Sequence, residues 1–195
     1  MAKRKAKLTA IAKRSVLLRG IRPIMFDRYA GDNKTQLRTE DKMYYAEDGK
    51  TLVLPSQNIM SFLTSENTQS APRRLLGRQY KTVAQAVKSF VEIEEQLIPF
   101  QRGGKPIVFE GFDTTEGVYV RNDVARLKDG IPNPKVRPVI DLPWELQFTL
   151  LLLPNNEIQE AMIRDLFERG GIALGLGTYR GVFGKFVVEE WTKIE

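Results

Sequence analysis

The residues best equipped for chemistry lie together near the end of the chain. Gly175-Leu176-Gly177-Thr178-Tyr179-Arg180-Gly181-Val182-Phe183-Gly184 places four glycines within ten positions, and Lys185 follows. Glycines admit positive φ and let backbone come close to a ligand. Arg180 and Lys185 offer charge to phosphate oxygens, Thr178 offers a hydroxyl, and Tyr179 or Phe183 offers a flat surface for a base. Two nucleotide motifs fail on spacing. The dinucleotide fingerprint needs glycine where Arg180 stands and a helix after the glycines. The Walker loop needs glycine where Tyr179 stands and Ser or Thr where Phe186 stands. A tight loop packed on a sheet and a loop that binds a single strand both remain.

Composition narrows the chemistry further. The 195 residues include no histidine and no cysteine. Thiolate zinc sites, cysteine nucleophiles and the Ser-His-Asp arrangement are therefore absent together. Carboxylate, lysine and tyrosine chemistry stay open, with loop aspartates at Asp27, Asp32, Asp113 and Asp123. Glu92, Glu94 and Glu95 show no convergent partner and read as surface, so no metal and no cofactor is implied. Positive charge is uneven. Residues 1–28 hold nine Lys/Arg against Asp27 alone, and the remainder sums to −2 within a net +6. That basic end suits a phosphate-binding arm or a solvated tail. Arg14, Arg19 and Arg22 lie on or just after its predicted strand. A second cluster, Arg73, Arg74, Arg78 and Lys81, falls in a ten-residue window, 72–81, that contains no acid. Leu146 to Leu153 is too short for a membrane span, which needs about twenty residues. No secretory signal is evident, so the chain reads as cytoplasmic.

The elements that must hold these residues alternate between the two periodicities. Residues 1–6 read as a disordered basic tail and 7–19 as a strand, with Arg14 interrupting its apolar parity. Met43–Tyr45 and Thr51–Leu54 flank Asp48-Gly49 as a hairpin. Ser56 reads as the cap of a helix carrying Ile59, Met60, Phe62 and Leu63. A second helix spans 72–90 with a break at Gly77, and 91–98 suits either helix or strand. Residues 100–140 read as an insertion. Within it, 106–110 and 117–120 look like short strands, and 122–137 looks like an irregular finger, because Gly130, Pro132 and Pro134 break regular patterns. Trp144 to Leu153 reads as a central strand, followed by a helix with Ile158, Met162, Ile163, Leu166 and Phe167 on its apolar side. Gly170-Gly171 are expected to end that helix, and 185–191 closes the chain as a strand. The class is α+β in one domain over 1–195.

The order helix, Gly-x-Gly, aromatic-basic pair, Gly-x-x-Gly-Lys-Phe, strand resembles the C-terminal signature of the RAMP superfamily, the RNA-binding subunits of CRISPR effector complexes. Leu54-Pro55-Ser56-Gln57-Asn58-Ile59 is similar to that family's strand-to-helix turn, with Gln57 and Asn58 in place of its Gly/Ser pair. Gly20-Ile21-Arg22-Pro23-Ile24 matches the region of its first strand. The short length is closer to phage- and prophage-encoded relatives. The resemblance implies a ferredoxin-like, RRM-type antiparallel sheet with helices on one face. It implies a non-catalytic protein that binds single-stranded RNA or DNA, oligomerising along the strand or joining a multisubunit ribonucleoprotein. The expected contacts are Arg14, Arg19, Arg22, Arg73, Arg74, Arg78, Gly175, Gly177, Thr178, Tyr179, Arg180 and Lys185. A phage-type assembly protein that uses the fold for protein contacts, and a metal-independent ribonuclease, are the alternatives.

Overall fold

The computed structural model describes residues 10–195 except 33, 67, 68, 114, 116, 127–129 and 131. The expected tail at 1–6 lies outside them. The chain runs β1 (Ala12–Gly20), β2 (Ile24–Met25), β3 (Val53–Pro55), α1 (Ser56–Thr64), α2 (Ala71–Leu75), α3 (Tyr80–Phe90), β4 (Val91–Ile93), β5 (Leu97–Arg102), β6 (Lys105–Pro106), β7 (Val118–Arg126), β8 (Pro132–Ile140), β9 (Glu145–Leu152), α4 (Glu160–Ala173) and β10 (Phe186–Ile194).

Strands β4 and β5 lie on the same side of β9, so the main sheet orders as β10, β1, β9, β4/β5, β3, with every pairing antiparallel. The helices connect β1 to β4/β5 and β9 to β10. That is the ferredoxin-like order. Alternation decides which face is packed. Val16 and Leu18 of β1 sit opposite Phe148 and Leu146 of β9, and all four are buried. Phe62 from α1 and Phe167 from α4 close over them, 5.8 Å apart between ring centroids. Trp144, fully buried, donates its indole N–H to the Arg22 carbonyl at 2.8 Å and fills the space beside Gly20, where no Cβ would fit.

Several sequence expectations shift for identifiable reasons. Gly170 and Gly171 lie inside α4 instead of ending it. A Cβ at Gly170 would stand 2.7 Å from Ala71 and Phe62, and one at Gly171 would stand 2.6 Å from the Phe186 carbonyl. These glycines let α4 approach its neighbours closely. The helix at 72–90 breaks at Gly77 into α2, a 3₁₀ turn and α3. Ser56 is the first helical residue, with Pro55 at the cap position. The ambiguous stretch 91–98 holds β4 and the start of β5, separated by a bend at 94–96. The Asp48-Gly49 turn is present, but its hairpin reduces to a single bridge, Tyr45 to Leu52, because β3 pairs with β5.

The largest correction is the finger at 122–137. It is a ribbon of β7 against β8, paired from Val118–Ile140 to Arg126–Pro132, and β2 joins the other side of β8 at its base to make a three-stranded sheet. Pro132, Pro134 and Pro138 share one parity. The carbonyls of that parity point outward, since Pro138 O accepts from Phe26 N–H and Val136 O accepts from Lys42 Nζ. The missing proline N–H groups therefore fall on the outer edge of β8 and leave the ladder to β7 intact.

Arg14 explains the interruption seen in the β1 pattern. It lies on the packed face, with 14% of its side chain exposed, and makes a two-pronged bond to Glu160 at 2.7 and 2.5 Å. Trp191 donates to the same carboxylate at 2.8 Å. The Arg14 bond, helped by the Trp191 indole, holds the Glu160 carboxyl below the usual glutamate range against the opposing effect of burial. A lowered folded-state value contributes stability that is present above the ordinary glutamate pKa and is lost as pH falls through the lowered value. Glu160→Gln is therefore expected to lower the melting temperature at pH 7 and to flatten its decline below about pH 4.3, measured by thermal denaturation across pH.

Candidate nucleic-acid interface

The glycine loop is built against the segment that follows β1. Thr178 N–H donates to Met25 O at 2.8 Å and Gly184 N–H to Pro23 O at 2.7 Å. Leu176 N–H donates to Gly184 O at 2.9 Å, which closes the loop on itself. Gly175 and Gly184 both have positive φ, and a Cβ on either would strike the backbone of the other side of the loop. The loop is thus a rigid, doubly anchored turn.

The structure sorts the expected contact residues into four places. Arg14 is engaged with Glu160 on the packed face and is not part of the exposed basic set. Arg19 lies on the open face of the sheet and pairs with Glu189 at 2.8 Å. Arg180 is largely buried. It spends its guanidinium on the Gln69 carbonyl at 2.6 Å and the Gly177 carbonyl at 3.2 Å, and burial pushes its pKa down from its ordinary value. It therefore ties the loop to the start of α2. Arg73, Arg74 and Arg78 follow within the next turns and are exposed. Arg73 lies over the Tyr80 ring and bonds the Glu66 carbonyl, while Arg74 and Arg78 have no side-chain partner among the described residues. Arg22 and Lys185 come together at the other end of the loop, where Ile21 and Arg22 N–H donate to Lys185 O. They flank a shallow depression of about 420 Å³, shared with Pro23, Gly181, Val182 and Phe183.

Exposure separates the two rings expected as stacking surfaces. Tyr179 is 56% exposed and Phe183 only 7%. Phe183 instead packs with Met25, Val139 and Tyr119, seating the ribbon on the loop.

The open face of the main sheet offers no such surface. Lys13, Ser15, Leu17 and Arg19 of β1 lie between Leu151, Thr149, Gln147 and Glu145 of β9 and Ile194, Thr192, Glu190 and Val187 of β10. None is aromatic, so stacking of the kind RRM sheets use has no platform there.

One cleft was not legible in the sequence. The segment 27–42 leans over the outer edge of β8, enclosing about 590 Å³ lined by Arg28, Lys34, Arg38, Lys42 and Lys135 among others. Only the charge of that polar loop hinted at it. The loop aspartates are all engaged. Asp27 pairs with Arg137 at 2.9 Å and Lys42 at 3.6 Å, and Asp123 pairs with Arg121. Asp32 accepts from Lys34 and Thr35, and Asp113 accepts from Thr115. Among the described residues, no three acidic side chains group as a metal site, and no helix is long and apolar enough to cross a membrane.

The fold is shared with solved structures, one of which illustrates the likeness. It is a chain of the type III-B Cmr-beta, determined by cryo-EM bound to cognate target RNA. At 11% sequence identity and a TM-score of 0.62, the match covers 95% of this chain, and this chain spans 61% of that one. No family model and no curated protein matches the sequence. The likeness establishes a shared α+β fold, which in this chain has antiparallel sheets and four α-helices among the described residues.

Proposed function

We propose that this protein binds single-stranded nucleic acid, RNA in preference to DNA, without cleaving it. The observation that carries the reading is the set of cations grouped around a rigid glycine loop, namely Arg22 and Lys185 at one end and Arg73, Arg74 and Arg78 at the other. A doubly anchored loop fixes the backbone beside which these cations stand, so little backbone ordering cost is incurred on binding. The RNA-bound state of the Cmr-beta structure and the RAMP-like glycine signature support the same class of ligand.

A second feature favours a protein partner in addition. One face of the ribbon is apolar and exposed, with Val120, Val124 and Val136 exposed by 36%, 63% and 40% and Pro134 beside them. Successive copies along a strand, or the other subunits of a ribonucleoprotein, would cover that face. A phage-type assembly protein would use it without any nucleic acid.

Fluorescence anisotropy with labelled oligo(U), oligo(dT) and a duplex tests the reading. Binding to oligo(U) is expected to weaken linearly in log salt by about 0.7 per phosphate contacted, with the duplex bound more weakly. Absence of binding to every strand at low salt would overturn the proposal and leave the assembly reading.

A further inference from the structure

Tyr179 combines three properties that packing does not explain. Its φ is +54°, and it is the one non-glycine residue among those described with positive φ. A bulky side chain in that region is strained. More than half of its surface is in water. Its backbone role in the loop, accepting from Val182 and Phe183 N–H, needs no side chain at all. The fold would be served as well by glycine, yet an aromatic ring is held there.

The ring is also held at a defined angle. It lies nearly parallel to Phe183, with 26° between the planes and 5.9 Å between centroids. The Arg121 guanidinium of β7 sits over the Phe183 ring at 5.2 Å. Arg121 is fixed in turn by two bonds to Asp123, at 2.8 and 3.0 Å. The series Asp123, Arg121, Phe183, Tyr179 runs from the ribbon to the surface of the loop. Its outermost member is an open π-face, and Arg22 and Lys185 line the depression next to Phe183.

We propose that Tyr179 is a receptor for one unpaired nucleobase and that Arg121 is its positioning residue, acting through Phe183. The inference rests on the single-strand-binding reading above. Every base has a π-face, so the receptor tolerates sequence. The neighbouring phosphate falls to Arg22 and Lys185. The ribbon and the loop thereby form one device, in which the ribbon's charged face sets the tilt of the stacking surface.

The test compares a single-stranded RNA with an abasic strand of the same length, and reads affinity and salt dependence together. The unmodified protein is expected to bind the abasic strand about tenfold more weakly than the RNA, with the same salt slope. Tyr179→Ala is expected to lose that discrimination, and Tyr179→Phe to keep it. Arg121→Met is expected to weaken RNA binding about threefold without changing the salt slope, and Arg121→Lys to restore most of it. Equal binding of both strands by the unmodified protein would overturn the base receptor while leaving phosphate binding intact. A salt slope that falls by about 0.7 in Arg121→Met would make Arg121 a phosphate contact and overturn its positioning role. Failure to bind either strand would instead remove the underlying reading.

Discussion

Gly184→Ala is expected to destabilise the protein by about 3 kcal/mol, because its added carbon would make the tightest contact of any described glycine. Two penalties coincide. Gly184 has φ +67°, where a Cβ meets the local backbone, and the added carbon would run into the Leu176 carbonyl. The loop would have to open, breaking the Leu176-to-Gly184 and Gly184-to-Pro23 bonds that pin it to the segment after β1. A chain of this size loses roughly 3 °C of melting temperature per kcal/mol, so a fall of about 10 °C is the measurement to make. Gly181→Ala is the internal control. Its φ is +89°, but a Cβ there meets nothing within 4 Å, so it should cost only the backbone term, about 1 kcal/mol. Equal losses at both positions would mean that the close approach of the two loop arms contributes nothing.

The loop was legible in the sequence because its constraint is local. Four glycines in ten residues leave few other uses for the segment, and the failed spacing at Tyr179, Arg180 and Phe186 could be read without a structure. The strands β1 and β9 were legible for a similar reason, since one face is buried along its length and period-2 alternation survives. The glycines of α4 were misread because a helix-ending glycine and a close-packing glycine look alike in sequence. What separates them is Phe62, Ala71 and Phe186, distant in the chain. The ribbon was missed for two physical reasons. Its alternation, Val120 and Val124 against Arg121 and Asp123 in β7, is short and broken by Asn122, and the apolar parity is the exposed one, so the pattern does not read as a core strand. Its prolines read as breakers until their shared parity places them on an outer edge. Arg14 illustrates a third limit. A cation in a basic N-terminal run looks like a phosphate contact, and only the arrival of α4 supplies Glu160.

Removing Arg22, Arg74, Arg78 and Lys185 together, as alanines, is expected to give the largest change in binding. None of these four side chains has a partner among the described residues, so none is held back by an ion pair. If each meets one phosphate, the salt slope on a single strand should fall by about 2.8. The loss is then steeply salt-dependent. Near 1 M salt the variant and the unmodified protein should bind almost alike, and at 0.1 M the variant should be weaker by roughly 600-fold. Stability should barely move, since exposed unpaired charges contribute little to folding. Arg19→Ala separates this set from general positive charge. Arg19 carries the same charge but lies on the open face of the sheet, paired with Glu189 at 2.8 Å. It should leave the slope unchanged, whereas a protein that holds polyanions by net charge alone would lose the same increment for Arg19 as for Arg22. Titration of both single variants across 0.05–0.5 M salt decides between a strand laid along the glycine loop and a diffuse cationic surface.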